Sequence, residues 1–126
     1  MNIYHITSRS AWIDATRSGA YAASSLQTEG FIHCSTATQI LPVARQFYTG
    51  QVGLVLLVID TRQLKAELRW ESAAPLQGVA EDATFPHVYG PIEPEAVAHV
   101  LDFEPDAAGE FSLPRLPSET GLSGRS

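Results

Sequence analysis

The chain has 126 residues, 44 % hydrophobic and 17 % charged, with eight Lys+Arg against fourteen Asp+Glu and a formal charge of −6. That length suits a single domain, and an acidic balance with one lysine, Lys65, and scattered arginines argues against nucleic-acid binding, which needs clustered cations against phosphate. The lone cysteine, Cys34, excludes an intramolecular disulfide framework and a zinc site built on several thiolates.

Residues 2–7 (NIYHIT) alternate as a strand, with Tyr4 and Ile6 on one face and Ile3, His5 and Thr7 on the other. Ser8 or Ser10 then offers an N-cap for a short amphipathic helix containing Trp12 and Ala15, and Gly19 stops it. Residues 20–30 read as turn and irregular chain, punctuated by Glu29 and Gly30, and residues 31–35 (FIHCS) as a second strand. Thr36 and Gln39 form a capping box ahead of a second helix, whose buried face is predicted to carry Ile40, Val43, Ala44 and Phe47. Pro42 should kink that helix or shift its start, and Gly50 should end it.

Residues 53–59 (GLVLLVI) are almost continuously apolar, which predicts a central strand covered on both faces. Asp60 to Leu64 reads as a turn leading into a short helical piece. Arg69 to Glu71, residues 87–89 and residues 97–103 read as further extended segments, with a helical turn over 94–98. Strands interleaved with two main helices, without regular βαβ spacing, predict an α+β domain over residues 1–104. From Pro105 the composition turns to Pro, Ser and Gly, so residues 105–126 read as a flexible tail in which Phe111, Leu113 and Leu116 offer anchors. The start has no basic segment followed by an apolar run, and the longest apolar stretch, Leu54 to Ile59, is too short to span a bilayer. The expected location is the cytoplasm.

Three of the four histidines are followed two residues later by a hydroxyl: His5 by Thr7, His33 by Ser35, His87 by Tyr89. In extended chain such pairs share one face. His5-x-Thr7 and His33-x-Ser35 also lead into helix N-termini, where free N–H groups favour anions. Imidazoles and hydroxyls gathered at strand ends suit a ligand bearing ribose or phosphate; the competing explanation is that each ring merely satisfies backbone at a strand edge. Three imidazoles also raise a His₃ metal site, although no HxH or HExxH spacing supports one. Cys34 alternates to the face opposite His33, where a buried inert thiol is the ordinary outcome. Glu71, beside Trp70, is a candidate to orient a ribose hydroxyl or act as a base; the competing explanation is a solvated charge at a strand edge.

The segments YHIT, Trp12 and Ala15 ahead of Gly19, SLQTEGFIHCS, Gln39, VARQFY, LVLLVID, RWE and FPHVYGPI, spread over residues 2–103, resemble the bacterial domain of unknown function 952. That family is in turn similar to the ADP-ribosyltransferase superfamily, in its branch near the RNA 2′-phosphotransferases. The resemblance implies a split, curved β-sheet core with two main flanking helices, holding NAD in a cleft. It implies that His5 contacts the nicotinamide-side ribose, that Ser35 with His33 forms the second motif, and that His87 and Tyr89 fall near the third. The superfamily commonly has a catalytic Glu in the third motif, and this chain has His87 there; Glu71 is the candidate substitute. The expected activity is binding of NAD or a related ADP-ribosyl nucleotide, with ribosyl transfer or glycosidic hydrolysis. In that reading His5, His33, His87 and Glu71 are catalytic, and Thr7, Ser35 and Tyr89 bind the cofactor. A non-catalytic nucleotide- or metabolite-binding module and a His-ligated metal hydrolase are the alternatives.

Overall fold

The computed structural model describes residues 1–118. Six strands form two antiparallel three-stranded sheets. Strands β1 (Asn2–Ser8), β3 (Leu54–Asp60) and β6 (Val97–Asp102) make the first, in the order β1-β3-β6. Strands β2 (Ile32–His33), β5 (Thr84–Tyr89) and β4 (Glu67–Ser72) make the second, in the order β2-β5-β4. The sheets are joined where Tyr4 and Ser35 exchange backbone hydrogen bonds of 2.9 and 2.8 Å. Helices α1 (Arg9–Ser18), α2 (Ser24–Glu29) and α3 (Ile40–Phe47) complete a mixed α+β domain.

The apolar run over β3 makes it the centre of the first sheet, buried throughout. Its side chains alternate between two cores. Val55, Leu57 and Ile59 join Ile3, Ala15 of α1 and the inner face of the second sheet, Ile32 and Val88. Leu54, Leu56 and Val58 join Tyr4, Ile6, Ile40 and Ala44 of α3, and Phe103. Burying a large aliphatic side chain contributes roughly 1.5–3 kcal/mol, so this strand ties both layers together.

Local signals place the helices. Ser8 caps α1 by accepting from the Ala11 N–H at 3.1 Å, and Gly19 closes it in the left-handed region. Thr36 and Gln39 form the capping box, starting a single 3₁₀ turn over Ala37–Gln39 that runs into α3. Pro42 thus falls in the first turn of the α-helix, where its missing N–H costs nothing.

Three expectations need correction. Residues 20–30 are not irregular: they contain α2, ended by Gly30 at φ 91°, a conformation open to glycine without strain. The strand expected over residues 31–35 is regular only at Ile32 and His33: Cys34 still donates to the Pro86 carbonyl at 3.0 Å, but Pro86 has no N–H to return, and Ser35 pairs with Tyr4 instead. Phe47 is not core: it is 64 % exposed, since α3 ends there rather than at Gly50, and its ring lies along the cavity described below. Beyond β6 the chain carries no strand or helix through residue 118, yet Phe111 is buried with its ring stacked on Phe103, centroids 5.0 Å apart. The end of the expected tail, residues 119–126, lies outside the described residues.

Candidate functional site

A cavity of about 1050 Å³ opens between the two sheets and α2 and α3, at the upper end of the size range of small-molecule sites. The second half of β1 reaches it: Ile3 stays in the core, while His5 and Thr7, with Ile6 and Ser8, line the wall. His33 on β2 and His87 on β5 are direct partners in the antiparallel register, so they share a face, and both line the cavity. Their ring centroids are 5.4 Å apart, edge to face. Phe31 lies against both, 4.8 Å from His33 and stacked on His87 at 4.1 Å.

His5 is wired into the protein. Its Nδ1 is 2.6 Å from the His33 carbonyl, which can only accept, so Nδ1 carries the proton. Burial pushes its pKa down to about 4, against the pull of the His33 carbonyl, so the ring is neutral at pH 7. Nε2 then has a bare lone pair facing the Tyr21 hydroxyl at 2.7 Å, and that hydroxyl lies 2.9 Å from Thr7 Oγ1. With the ring neutral, Tyr21 donates to His5. With the ring protonated, Nε2 becomes a donor and Tyr21 donates to Thr7. Burial raises the Tyr21 pKa to about 12, so the phenol keeps its proton.

His87 is held differently. Its Nδ1 donates to Glu71 Oε1 at 2.8 Å, and the Tyr89 hydroxyl donates to the same oxygen at 2.6 Å. Those two donors, Tyr89 first, hold the Glu71 carboxyl below the usual carboxylate range. In the β4–β5 register Arg69 is the partner of His87, which puts Glu71 on the diagonal, within reach of a long side chain. The approach of β4 is close: a Cβ at Gly90 would stand 2.8 Å from that of Ala66, so the GP after Tyr89 requires its glycine. His87 is 3 % exposed, and its Nε2 is buried with no hydrogen-bond partner. In the neutral ring, Nδ1–H fixed on Glu71 leaves Nε2 as the basic lone pair.

The fold thus brings His5, Thr7, His33, Ser35 and His87 to one cavity. Glu71 and Tyr89 do not line it: Glu71 accepts from His87 Nδ1, and Tyr89 donates to Glu71. His99 is exposed on β6, away from the other three. Three wall residues were not singled out in the sequence: Tyr21, Phe31 and Glu29, whose Oε2 accepts from His33 Nε2 at 3.0 Å. The EGF segment before His33 was the available signal for two of them. Cys34 is buried in the core and its thiol pKa is pushed up by that burial, so it is no thiolate nucleophile. Among the described residues, no group of three His, Cys, Asp or Glu side chains is arranged to hold a metal ion. Both His5 nitrogens have partners within the protein, Nδ1 the His33 carbonyl and Nε2 the Tyr21 hydroxyl. No helix of the described residues is long and apolar enough to cross a membrane.

Fold and cavity together define an α+β domain with a histidine-lined cleft between two sheets. The chain belongs to the family described as protein of unknown function (DUF952), which matches residues 6–100. It is similar to protein CC0527 from Caulobacter crescentus. The crystal structure of that protein has 33 % identity and a TM-score of 0.77, covering 90 % of this chain and 95 % of that one. Its solution structure has 34 % identity and a TM-score of 0.69, covering 86 % and 89 %. No curated protein matches the chain.

Proposed function

We propose that this is a small cytoplasmic protein of ADP-ribosyltransferase-like design that binds NAD or a related ADP-ribosyl nucleotide and acts on its N-glycosidic bond. The observation that carries the reading is the orphaned Nε2 of His87. A buried imidazole nitrogen without a partner is costly unless something occupies it, and here the ring lines a cavity large enough for the ligand. Two antiparallel sheets split around a cleft, with Thr7 and Ser35 hydroxyls at the wall, fit the arrangement that the resemblance implies.

The chemistry follows from the Glu71–His87 pair. As the glycosidic bond stretches, its electron pair goes to the pyridinium nitrogen, which leaves neutral, and positive charge grows on the ribose. Glu71 supplies the compensating negative charge through the His87 ring, a substitute for a carboxylate in direct contact. The oxygen of water, or of an acceptor, bonds to the ribose carbon and passes its proton to His87 Nε2. Glu71 then stabilises the resulting imidazolium.

Titration of the purified chain with NAD and ADP-ribose by calorimetry tests the binding, and release of free nicotinamide tests the reaction. Absence of heat at millimolar ligand removes the reading. A binding module without turnover is the second reading, favoured by the position of Glu71 outside the wall. It predicts that His87→Ala binds with only modest loss and that no nicotinamide is released by either protein.

A further inference from the structure

The charges around the cleft bear on which part of such a ligand is recognised. Among the described residues, no lysine or arginine lines the cavity, and its only lining Asp or Glu is Glu29. A second carboxylate, Glu71, stands directly behind His87. The arginine nearest in register, Arg69, is committed elsewhere: it pairs with Glu67 at 2.9 Å and lies over the Tyr89 ring at 4.3 Å. Arg9 is paired with Asp102 on the first sheet. A pyrophosphate taken into this cavity would lose water and meet no cation. A flat cation meets the opposite conditions: a wall of aromatic rings, Phe31 stacked on His87 with His33 beside them, all centroids within 5.4 Å of one another, and the half-exposed Glu29 carboxylate that accepts from His33 Nε2.

We infer that the cavity recognises the N-ribosyl pyridinium half of its ligand, a cation, and leaves any phosphates in solvent. This rests on the nucleotide reading above and narrows it. The adenosine diphosphate portion contributes little, so a phosphate-free pyridinium riboside is as good a ligand as the dinucleotide. Glu29 becomes a specificity residue, selecting for positive charge.

The test is calorimetry on the intact chain with nicotinamide riboside, NAD and ADP-ribose. Nicotinamide riboside and NAD should bind within about threefold of each other, and ADP-ribose, which lacks the cation, about tenfold or more weaker. Glu29→Gln should weaken nicotinamide riboside roughly threefold, the scale of a partly exposed charge pair, and leave ADP-ribose unchanged or tighter. ADP-ribose binding as tightly as nicotinamide riboside, or Glu29→Gln leaving all three affinities unmoved, overturns this inference while the nucleotide reading stands. No heat from any of the three overturns both. Should Glu29→Gln fail to fold, the three-ligand ranking on the unaltered chain decides the matter.

Discussion

Glu71 and His87 lie on neighbouring strands and are joined from Oε1 to Nδ1 over 2.8 Å, with the imidazole buried and the carboxylate partly open to solvent. In the neutral ring that bond fixes the proton on Nδ1 and leaves the lone pair on Nε2. Glu71→Gln preserves size but offers an amide that can present a donor to Nδ1 and reverse the tautomer. On the nucleotide reading proposed above, nicotinamide release from NAD should then fall on the order of 10²–10⁴-fold, the range of general acid–base contributions, with KM changed little. Equal turnover in the two proteins would leave the pair with a structural role only.

His5 makes stability depend on pH. Its folded pKa of about 4 lies below the ordinary value of 6.5, so between those two values the unfolded chain binds more protons than the folded one. The stabilisation is complete above pH 6.5 and is lost as pH falls towards 4. Between pH 7.5 and pH 5 the loss from this one residue is about 2 kcal/mol. Urea unfolding at the two pH values should show it, and His5→Asn, which keeps a donor for the His33 carbonyl, should remove that share of the difference. A pH dependence identical in the two proteins would mean that His5 is not held neutral.

Tyr21 joins Thr7 to His5 through one hydroxyl. Tyr21→Phe leaves His5 Nε2 and the Thr7 hydroxyl without that partner in a site where both residues are buried. The expected cost is about 1–3 kcal/mol of unfolding free energy, the desolvation penalty of an unpaired buried polar group. Equilibrium unfolding of the variant at pH 7 measures it. A second variant, Thr7→Val, combined with Tyr21→Phe should cost less than the sum of the two, because the groups belong to one network.

What the sequence made legible is what local physics controls. The apolar run of β3, the Ser8 cap and Gly19 stop of α1, and the Thr36–Gln39 capping box each follow from residues within a few positions of one another. The alternation of β1 and β5 likewise put His5 with Thr7 and His87 with Tyr89 on common faces. α2 was hidden because its six residues, SSLQTE, have no apolar stripe and no side-chain cap. Phe47 followed the helical period but falls on the last turn, where the helix no longer covers the core. The roles of Glu71 and Tyr21 depend on pairing between distant segments. The first needs the β4–β5 register, and the second needs the bridge between Tyr21 and Ile92 that lays the Tyr21 ring beside His5, centroids 5.2 Å apart. No spacing within one segment encodes either.

The segment after β6 gives a test of where the folded unit ends. Composition alone marks Pro105 as the start of a tail, because few large apolar side chains follow it. One of those few, Phe111, is 7 % exposed, lies in the α3-side core with Phe103, and has Leu116 packed against the same cluster. Leu113 between them is 45 % exposed and anchors nothing. Phe111→Ala should therefore cost about 3 kcal/mol, the lower end for removing a buried aromatic ring, whereas Leu113→Ala should change stability by less than about 0.5 kcal/mol. Thermal unfolding of both variants checks the contrast. Limited proteolysis adds a second reading: cleavage within 105–118 should be slow in the unaltered chain and rapid in Phe111→Ala. Equally rapid cleavage in the two would show that the segment is not held to the body and that the folded unit closes at Glu104.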